Sequence, residues 1–329
     1  MSRLVRFHKI GDADVLNVED VEVEQPGPGE VRIRTRALGL NRAEVMFRTG
    51  QYTVDPVFPS RIGYEAAGEV DAVGPGVTTV AVGDSVSVVP AFAMTDYGVH
   101  GELIVAPARA VVKHPEHLSW EQAAATWMQF ITAYGGLIDL ADLSRGDFVL
   151  IPAASSSVGM AAIQVARMVG AHPIALTRSS AKRQQLSDAG ATAVIATGEE
   201  DVVQRVNELT DGKGARVVFD PVGGPGFADL TSAATSHAML IVYGALVSAP
   251  LQVPVMDVLG KHLTIRGFEL FEITTDDQRL AKAVEFVCSG LESGALAPVV
   301  DKVFSLDDIA EAHRYLEQGG QVGKVVVTV

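Results

Sequence analysis

Apolar and polar positions change rhythm twice along the chain. Over the first 120 or so residues, short runs alternate in period two, as in Val31-Arg32-Ile33-Arg34-Thr35 and Asp84-Ser85-Val86-Ser87-Val88-Val89. Turn-forming clusters at Pro26-Gly27-Pro28-Gly29, Gly74-Pro75-Gly76 and Gly83-Asp84 separate them. That spacing predicts a small β-rich barrel or sandwich with one short helix over residues 43–48. From about Ser119, apolar strands alternate with helical segments: a helix over 121–137, a buried strand Phe148-Val149-Leu150-Ile151 and a helix over 158–169. Further apolar runs follow at 173–176, 193–195, 216–219, 239–242 and 263–265. Parallel neighbours need a crossover long enough for a helix, so this rhythm predicts an α/β fold with a doubly wound parallel sheet.

After about Gly267 the alternation stops. Leu280, Ala283, Val284, Val287 and Leu291 recur at helical spacing, residues 299–304 read as a strand, and Ser305 with Asp308 resembles a capped helix start. A closing strand is predicted over 324–329. This tail is too short to fold alone, so the expected organisation is a β-rich domain of residues 1–120 completed by 267–329, with residues 121–266 inserted as the parallel-sheet domain.

Composition narrows the function. The 329 residues are 48% hydrophobic and 20% charged, which excludes disorder and suits about two domains at roughly 150 residues each. No run of about 18 apolar residues is present and the first residues lack a signal-like apolar stretch, so the expected location is the cytoplasm. Lys plus Arg number 26 against 40 Asp plus Glu, a net charge of −14, which disfavours nucleic acid and anionic membranes as partners. A single cysteine, Cys288, excludes an intrachain disulfide, a four-thiolate zinc site and an iron–sulfur cluster. Of eight histidines, the one close pair, His114 and His117, flanks Pro115 and does not sit one helical turn apart, so no metal is expected.

The strand at 148–151 runs into Ala153-Ala154-Ser155-Ser156-Ser157-Val158-Gly159 and then a helix. That is where a dinucleotide fold turns its backbone around a pyrophosphate. With Gly159 as the third fingerprint glycine, Ala154 and Ser156 take the other two places, so context rather than the motif carries the reading. Small residues let the backbone approach phosphate, and the hydroxyls of Ser155, Ser156 and Ser157 are donors to it. An acid about 20 residues on would hold the ribose of NAD. The chain instead reads Thr177-Arg178-Ser179-Ser180-Ala181-Lys182-Arg183, with Thr177, Arg178, Ser179 and Lys182 suited to a 2′-phosphate, hence NADPH. Asp220-Pro221-Val222-Gly223-Gly224 and Val242-Tyr243-Gly244 follow later strands at the ligand-binding edge, which makes Asp220, Val222, Tyr243 and Gly244 further cofactor candidates.

Taken in order, Gly39-Leu40-Asn41-Arg42-Ala43-Glu44, Gly50-Gln51-Tyr52, Gly63-Tyr64-Glu65-Ala66-Ala67-Gly68, Thr132-Ala133-Tyr134, the serine-rich turn, the Asp220 to Gly224 segment and Gly323-Lys324-Val325-Val326 form a specific set. By them the chain resembles the medium-chain dehydrogenase/reductase superfamily, in the zinc-free quinone oxidoreductase-like branch that includes zeta-crystallin and the enoyl reductases. The resemblance implies a chaperonin-10-like β-rich domain with an inserted Rossmann domain. Zinc-dependent members carry a cysteine and a histidine where this chain has Asn41 and Tyr64. The implied reaction is therefore hydride transfer from NADPH to a quinone or a conjugated C=C bond, without zinc. An alcohol dehydrogenase or carbonyl reductase retaining the fold, and a non-catalytic NADPH-binding protein, are the alternatives.

The same resemblance makes Tyr52 the acid or oxygen-stabilising donor, or else an aromatic lid. A phenol with an ordinary pKa of about 10 is protonated at neutral pH, so it donates without a shift. Asn41 is expected to polarise the carbonyl or hold the nicotinamide side, or else to shape a turn. Tyr64 narrows the pocket or replaces Tyr52 as donor, and Glu65 is structural, paired with a cation. Gln129 and Thr132 are expected to line the nicotinamide, and Lys324 to contact the cofactor. Phe268 is expected at the cofactor and, with Phe271, as a wall of the substrate slot. By analogy with the family, the chain is expected to form a homodimer along sheet edges.

Overall fold

Period-two alternation does produce strands in the first third of the chain. The computed structural model describes residues 1–329, which form two compact units. One comprises Met1–Gln129, Thr274–Leu280 and Pro298–Val329; the other comprises Phe130–Ile273 and Ala281–Ala297. The helix Asp277–Glu292, read from sequence as part of the tail, thus contributes most of its length to the second unit.

In the first unit the strand Glu30–Gly39 is the hub. It pairs antiparallel with Glu65–Val73 along most of its length, with Leu103–Pro107 near its start and with Lys324–Thr328 near its end. Its side chains alternate between buried and accessible up to Arg36 and are buried continuously from Ala37 to Gly39, where both faces are covered. The final strand of the chain therefore joins the N-terminal sheet, in the order Val300–Ser305, Lys324–Thr328, Glu30–Gly39, Glu65–Val73, Ser85–Val88 and Val111–Lys113. A short helix, Arg42–Arg48, starts directly after the hub strand, where Glu44 folds back to accept the Asn41 backbone N–H at 2.7 Å.

The single helix predicted over 121–137 is instead three pieces: Trp120–Ala124, Trp127–Tyr134 and a π-helical turn at Gly135–Leu140. The interruption has a cause distant in the chain. The Met128 backbone N–H donates to the Glu65 carboxylate at 2.9 Å, so an acid from a neighbouring strand caps a fresh helix start. Apolar periodicity is blind to this because Ala123, Ala124, Ala125, Trp127, Phe130 and Ile131 are all buried across the break.

The second unit holds a six-stranded parallel sheet in the order Ala193–Ala196, His172–Thr177, Phe148–Ile151, Ala215–Asp220, Ala234–Val242, Thr264–Gly267. The chain builds outward from Phe148–Ile151 in one direction, then crosses back and builds outward in the other. The reversal falls between Phe148–Ile151 and Ala215–Asp220, and open α/β sheets bind ligands at the carboxyl ends of strands beside such a point. Both faces are covered, and Leu150, Ile174, Ile195, Val218 and Leu240 share one core with Phe227 from a flanking helix. No helix is long and apolar enough to cross a membrane.

Candidate functional site

The serine-rich turn has the geometry of a phosphate loop. Ala153 takes a left-handed backbone at φ 48°, and Ser156 then caps the twelve-residue helix Ser157–Met168, its Oγ accepting the Gly159 N–H at 3.1 Å. A Cβ on Gly159 would lie 2.6 Å from the Ala154 carbonyl oxygen and 2.7 Å from that of Ala153. Only glycine seats the helix so close to the turn, so this position keeps the fingerprint requirement while Ala154 and Ser156 stand in for the other two. Val158 lies in the first turn of that helix, half-buried. Lys182 reaches over from the next strand's loop and donates to Ser155 Oγ at 3.0 Å. An ammonium is thereby held on the turn where an anionic group would sit.

Thr177 ends the neighbouring strand, and its carbonyl accepts the Thr197 N–H at 2.8 Å. Arg178 and Ser179 are exposed beyond it. Arg183 is engaged elsewhere, donating to Glu200 at 2.6 Å. One neighbour of this segment escaped the sequence reading: Glu199, whose carboxylate accepts the Ser180 N–H at 2.9 Å. It follows a different strand from the one where the 20-residue rule looks for an acid, so only the strand pairing reveals it.

Two later segments behave differently from expectation. Asp220 is fully buried and accepts the backbone N–H groups of Val222 at 2.8 Å and Gly223 at 2.9 Å, and burial raises its pKa. It shapes its own loop, so direct contact between its carboxylate and a cofactor is corrected to a supporting role. The Val222 carbonyl accepts the Val247 N–H, and Gly244 lies against Pro221, which closes the same loop. Tyr243 stacks on Phe219 with ring centroids 4.0 Å apart, and its hydroxyl is buried with no hydrogen-bond partner. Burial, and secondarily Asp220, hold that phenol protonated well above its ordinary range. Phe268 is 6% exposed and sits against Gly135, so it is core packing rather than a cofactor contact; Phe271 is half-buried at the start of the helix Phe271–Thr274.

In the first unit, Asn41 and Lys324 turn on each other. Asn41 is 6% exposed; its Oδ1 accepts from Lys324 Nζ at 2.5 Å, and its Nδ2 lies 3.1 Å from Glu44 Oε1 and 3.2 Å from both the Gly39 carbonyl and Glu65 Oε1. Lys324 is 1% exposed and forms an ion pair with Glu65. Both expected contacts, Asn41 to the carbonyl or nicotinamide and Lys324 to the cofactor, are corrected: these groups satisfy one another, as buried charge and amide must. Glu65 takes the structural, cation-paired place expected of it. Gln129 is 1% exposed and returns its amide to the Ala125 carbonyl, which makes it a helix-packing residue; Thr132 is buried at 7%.

Tyr52 and Tyr64 are brought together. Tyr64 is 1% exposed, its N–H donates to Glu44 Oε1 at 3.2 Å, and its hydroxyl donates to the Tyr52 hydroxyl at 3.3 Å. Tyr52 is half-buried, edge-on to Phe47, and Tyr64 in turn packs on Phe92. The result is an aromatic wall with one phenol, that of Tyr52, at its accessible end.

Behind it, Glu44, His100 and His313 place potential ligand atoms within 4.8 Å of one another, all buried. Gly63, at φ 107°, makes room for the imidazole: a Cβ there would lie 2.1 Å from His100 Cδ2. The carboxylate faces one imidazole, Glu44 Oε1 lying 3.8 Å from His100 Nε2. Glu44 also already accepts hydrogen bonds from Asn41 and Tyr64, and Lys324 and Arg48 bring positive charge. Burial drives the cluster to neutrality, pushing Glu44 up to about 7, His100 down to about 3 and His313 well below its ordinary range.

Comparison with known proteins agrees with this layout. Residues 27–116 match the alcohol dehydrogenase GroES-like domain and residues 157–289 the zinc-binding dehydrogenase family. The chain is 32% identical to a quinone oxidoreductase of Pseudomonas aeruginosa over 99% of both chains. Among solved structures it is similar to an NAD-dependent alcohol dehydrogenase, at 32% identity and a TM-score of 0.90 over 99% of both chains. It is also similar to Escherichia coli quinone oxidoreductase complexed with NADPH, at 28% identity and a TM-score of 0.90, covering 99% of this chain and 100% of that one.

Proposed function

The chain belongs to the medium-chain dehydrogenase/reductase superfamily, in its quinone oxidoreductase-like branch, and on that premise we propose that it is an NADPH-dependent reductase of quinones or α,β-unsaturated carbonyls that works without zinc. The observation that carries the cofactor reading is the Lys182 ammonium on Ser155 of the phosphate turn, together with Arg178 in place of an acid after Thr177. NADPH supplies the hydride when bound. The turn from Ser155 to Gly159 holds the pyrophosphate through backbone N–H groups and hydroxyls, and Arg178, Ser179 and Lys182 hold the 2′-phosphate.

Tyr52 keeps a proton on its hydroxyl for the oxygen on which negative charge develops, and Tyr64 fixes the direction of that hydroxyl. The donor set does not fit a catalytic zinc. Asn41 and Glu65 are held by Lys324, and Tyr64 offers a phenol that is already directed at Tyr52.

A homodimer through the outer strand Thr264–Gly267 completes the reading. That strand has an open edge, Ile265 on it is 36% exposed, and the nearby helix Val255–Lys261 exposes Val255 at 66%, Met256 at 76% and Leu259 at 61%. An apolar patch beside an unpaired strand edge suits a second copy of the same chain.

The test is NADPH oxidation with a benzoquinone, a naphthoquinone, a cyclic enone, a 2-enoyl thioester, an aldehyde and a simple ketone, with NADH as the paired control. Turnover of quinones or enones, faster with NADPH, is expected. Turnover of only the aldehyde or ketone would replace the reading by a carbonyl reductase. NADPH binding with no turnover at all would replace it by a non-catalytic binding protein.

A further inference from the structure

Glu199 lies on the loop after the strand Ala193–Ala196, against the basic segment that follows Thr177. The strand His172–Thr177 ends beside Ala193–Ala196, and beyond their last paired residues Thr197 N–H donates to the Thr177 carbonyl and Gly198 N–H to the Arg178 carbonyl at 3.1 Å. A Cβ on Gly198 would lie 2.8 Å from that Arg178 oxygen, so the segment leading to Glu199 runs tightly along Arg178. From there the Glu199 carboxylate reaches Ser180, taking its backbone N–H at 2.9 Å and a side-chain hydrogen bond as well.

Those Ser180 groups lie between Ser179 and Lys182, within the segment assigned to the 2′-phosphate. Resting on the NADPH reading, we infer that Glu199 sets the choice between NADPH and NADH by occupying, with a carboxylate, the Ser180 donors that a 2′-phosphate would take. Two anions do not share one small donor set. A phosphate carrying about −1.5 to −2 charge at neutral pH must displace Glu199 from Ser180. A ribose 2′-hydroxyl carries no charge and leaves the carboxylate in place, as an acceptor of the kind that reads NAD in other dinucleotide folds. The Ser180 hydrogen bonds and the nearby Arg183 hold Glu199 ionised below its ordinary range, so the competition operates at neutral pH. The carboxylate is exposed and free of the core, so replacing it leaves packing intact.

The experiment compares wild type with Glu199→Gln, which retains an oxygen for the Ser180 N–H but not the charge. NADPH and NADH dissociation constants are measured by fluorescence titration, with 2′-AMP and 5′-AMP as competing probes. The expected result is a rise of about tenfold in the preference for NADPH over NADH, a matching gain for 2′-AMP over 5′-AMP, and a smaller difference between the proteins at high salt. An unchanged preference, or one moved toward NADH, overturns the inference. A wild type that prefers NADH would overturn the NADPH reading by itself, while Glu199→Gln would still have to move the ratio toward NADPH.

Discussion

Lys324 and Glu65, 259 positions apart, form an ion pair with neither side chain exposed. Their pairing ties the final strand to the strand that begins at Glu65, and Glu65 also caps the helix that starts at Trp127 through Met128. One carboxylate thus joins three elements. Lys324→Met leaves it buried without its cation and should cost about 3–5 kcal/mol, read from urea unfolding. Adding Glu65→Gln should recover part of that loss; no recovery would mean the lysine acts through its packing alone.

Tyr52→Phe should lower kcat for enone or quinone reduction by about a hundredfold, the lower range for a positioned acid, with NADPH affinity kept. Tyr64→Phe removes the hydrogen bond behind Tyr52 and should cost less, roughly three- to tenfold for one neutral hydrogen bond. Steady-state kinetics with matched binding titrations check both. Equal, full-size losses in the two variants would make Tyr64 the donor instead.

Arg178→Ala should weaken NADPH by roughly ten- to a hundredfold, the worth of a charge-assisted hydrogen bond, while changing NADH little. Calorimetric titration with both cofactors gives the answer. Equal losses would remove the 2′-phosphate from its role.

Stability should fall with acid through His100. Its folded pKa, about 3, lies below the ordinary 6.5, so the stability of the neutral ring is present above pH 6.5 and is lost as pH drops toward 3. His313, also depressed by burial, acts in the same direction. Glu44 acts in the opposite one: its folded pKa of about 7 exceeds the ordinary 4.5, so its contribution is lost as pH rises from 4.5 through 7. Between pH 6.5 and 5, His100→Asn should remove about 2 kcal/mol of the acid-induced loss, at about 1.4 kcal/mol per pH unit. Parallel unfolding curves at both pH values for the two proteins would show that His100 does not titrate on unfolding.

Met256→Glu with Leu259→Glu places two charges in the exposed apolar patch beside the open strand edge. Sedimentation velocity should show the proposed dimer shifting to monomer with the thermal unfolding of the monomer retained. A wild type that sediments as a monomer would remove the dimer altogether.

Much of the fold was legible in the pattern of residues. Phe148–Ile151 stands where the apolar run predicts it, the helix at 157–168 begins at its serine cap, and the strand at 324–328 returns to the N-terminal sheet. Local chemistry governs these: period, turn residues and caps act over a few positions. The break in the helix after Ala124 was not legible, because its cause is Glu65, on a strand 63 positions before Met128 in the chain.

The candidate site divides along the same line. The residue types of the phosphate turn and the basic segment after Thr177 belong to continuous stretches, so sequence alone determined their character. Which polar groups remain available was decided by the tertiary structure. Asn41, Lys324, Gln129 and Asp220 carry suitable chemistry, yet each is buried and must satisfy its hydrogen bonds within the protein. Tyr52 acquires its partner Tyr64, and Ser180 its competitor Glu199, through the pairing of distant segments. Sequence specifies which groups a chain carries, but desolvation makes those groups find partners, and only the folded geometry determines which partners they find.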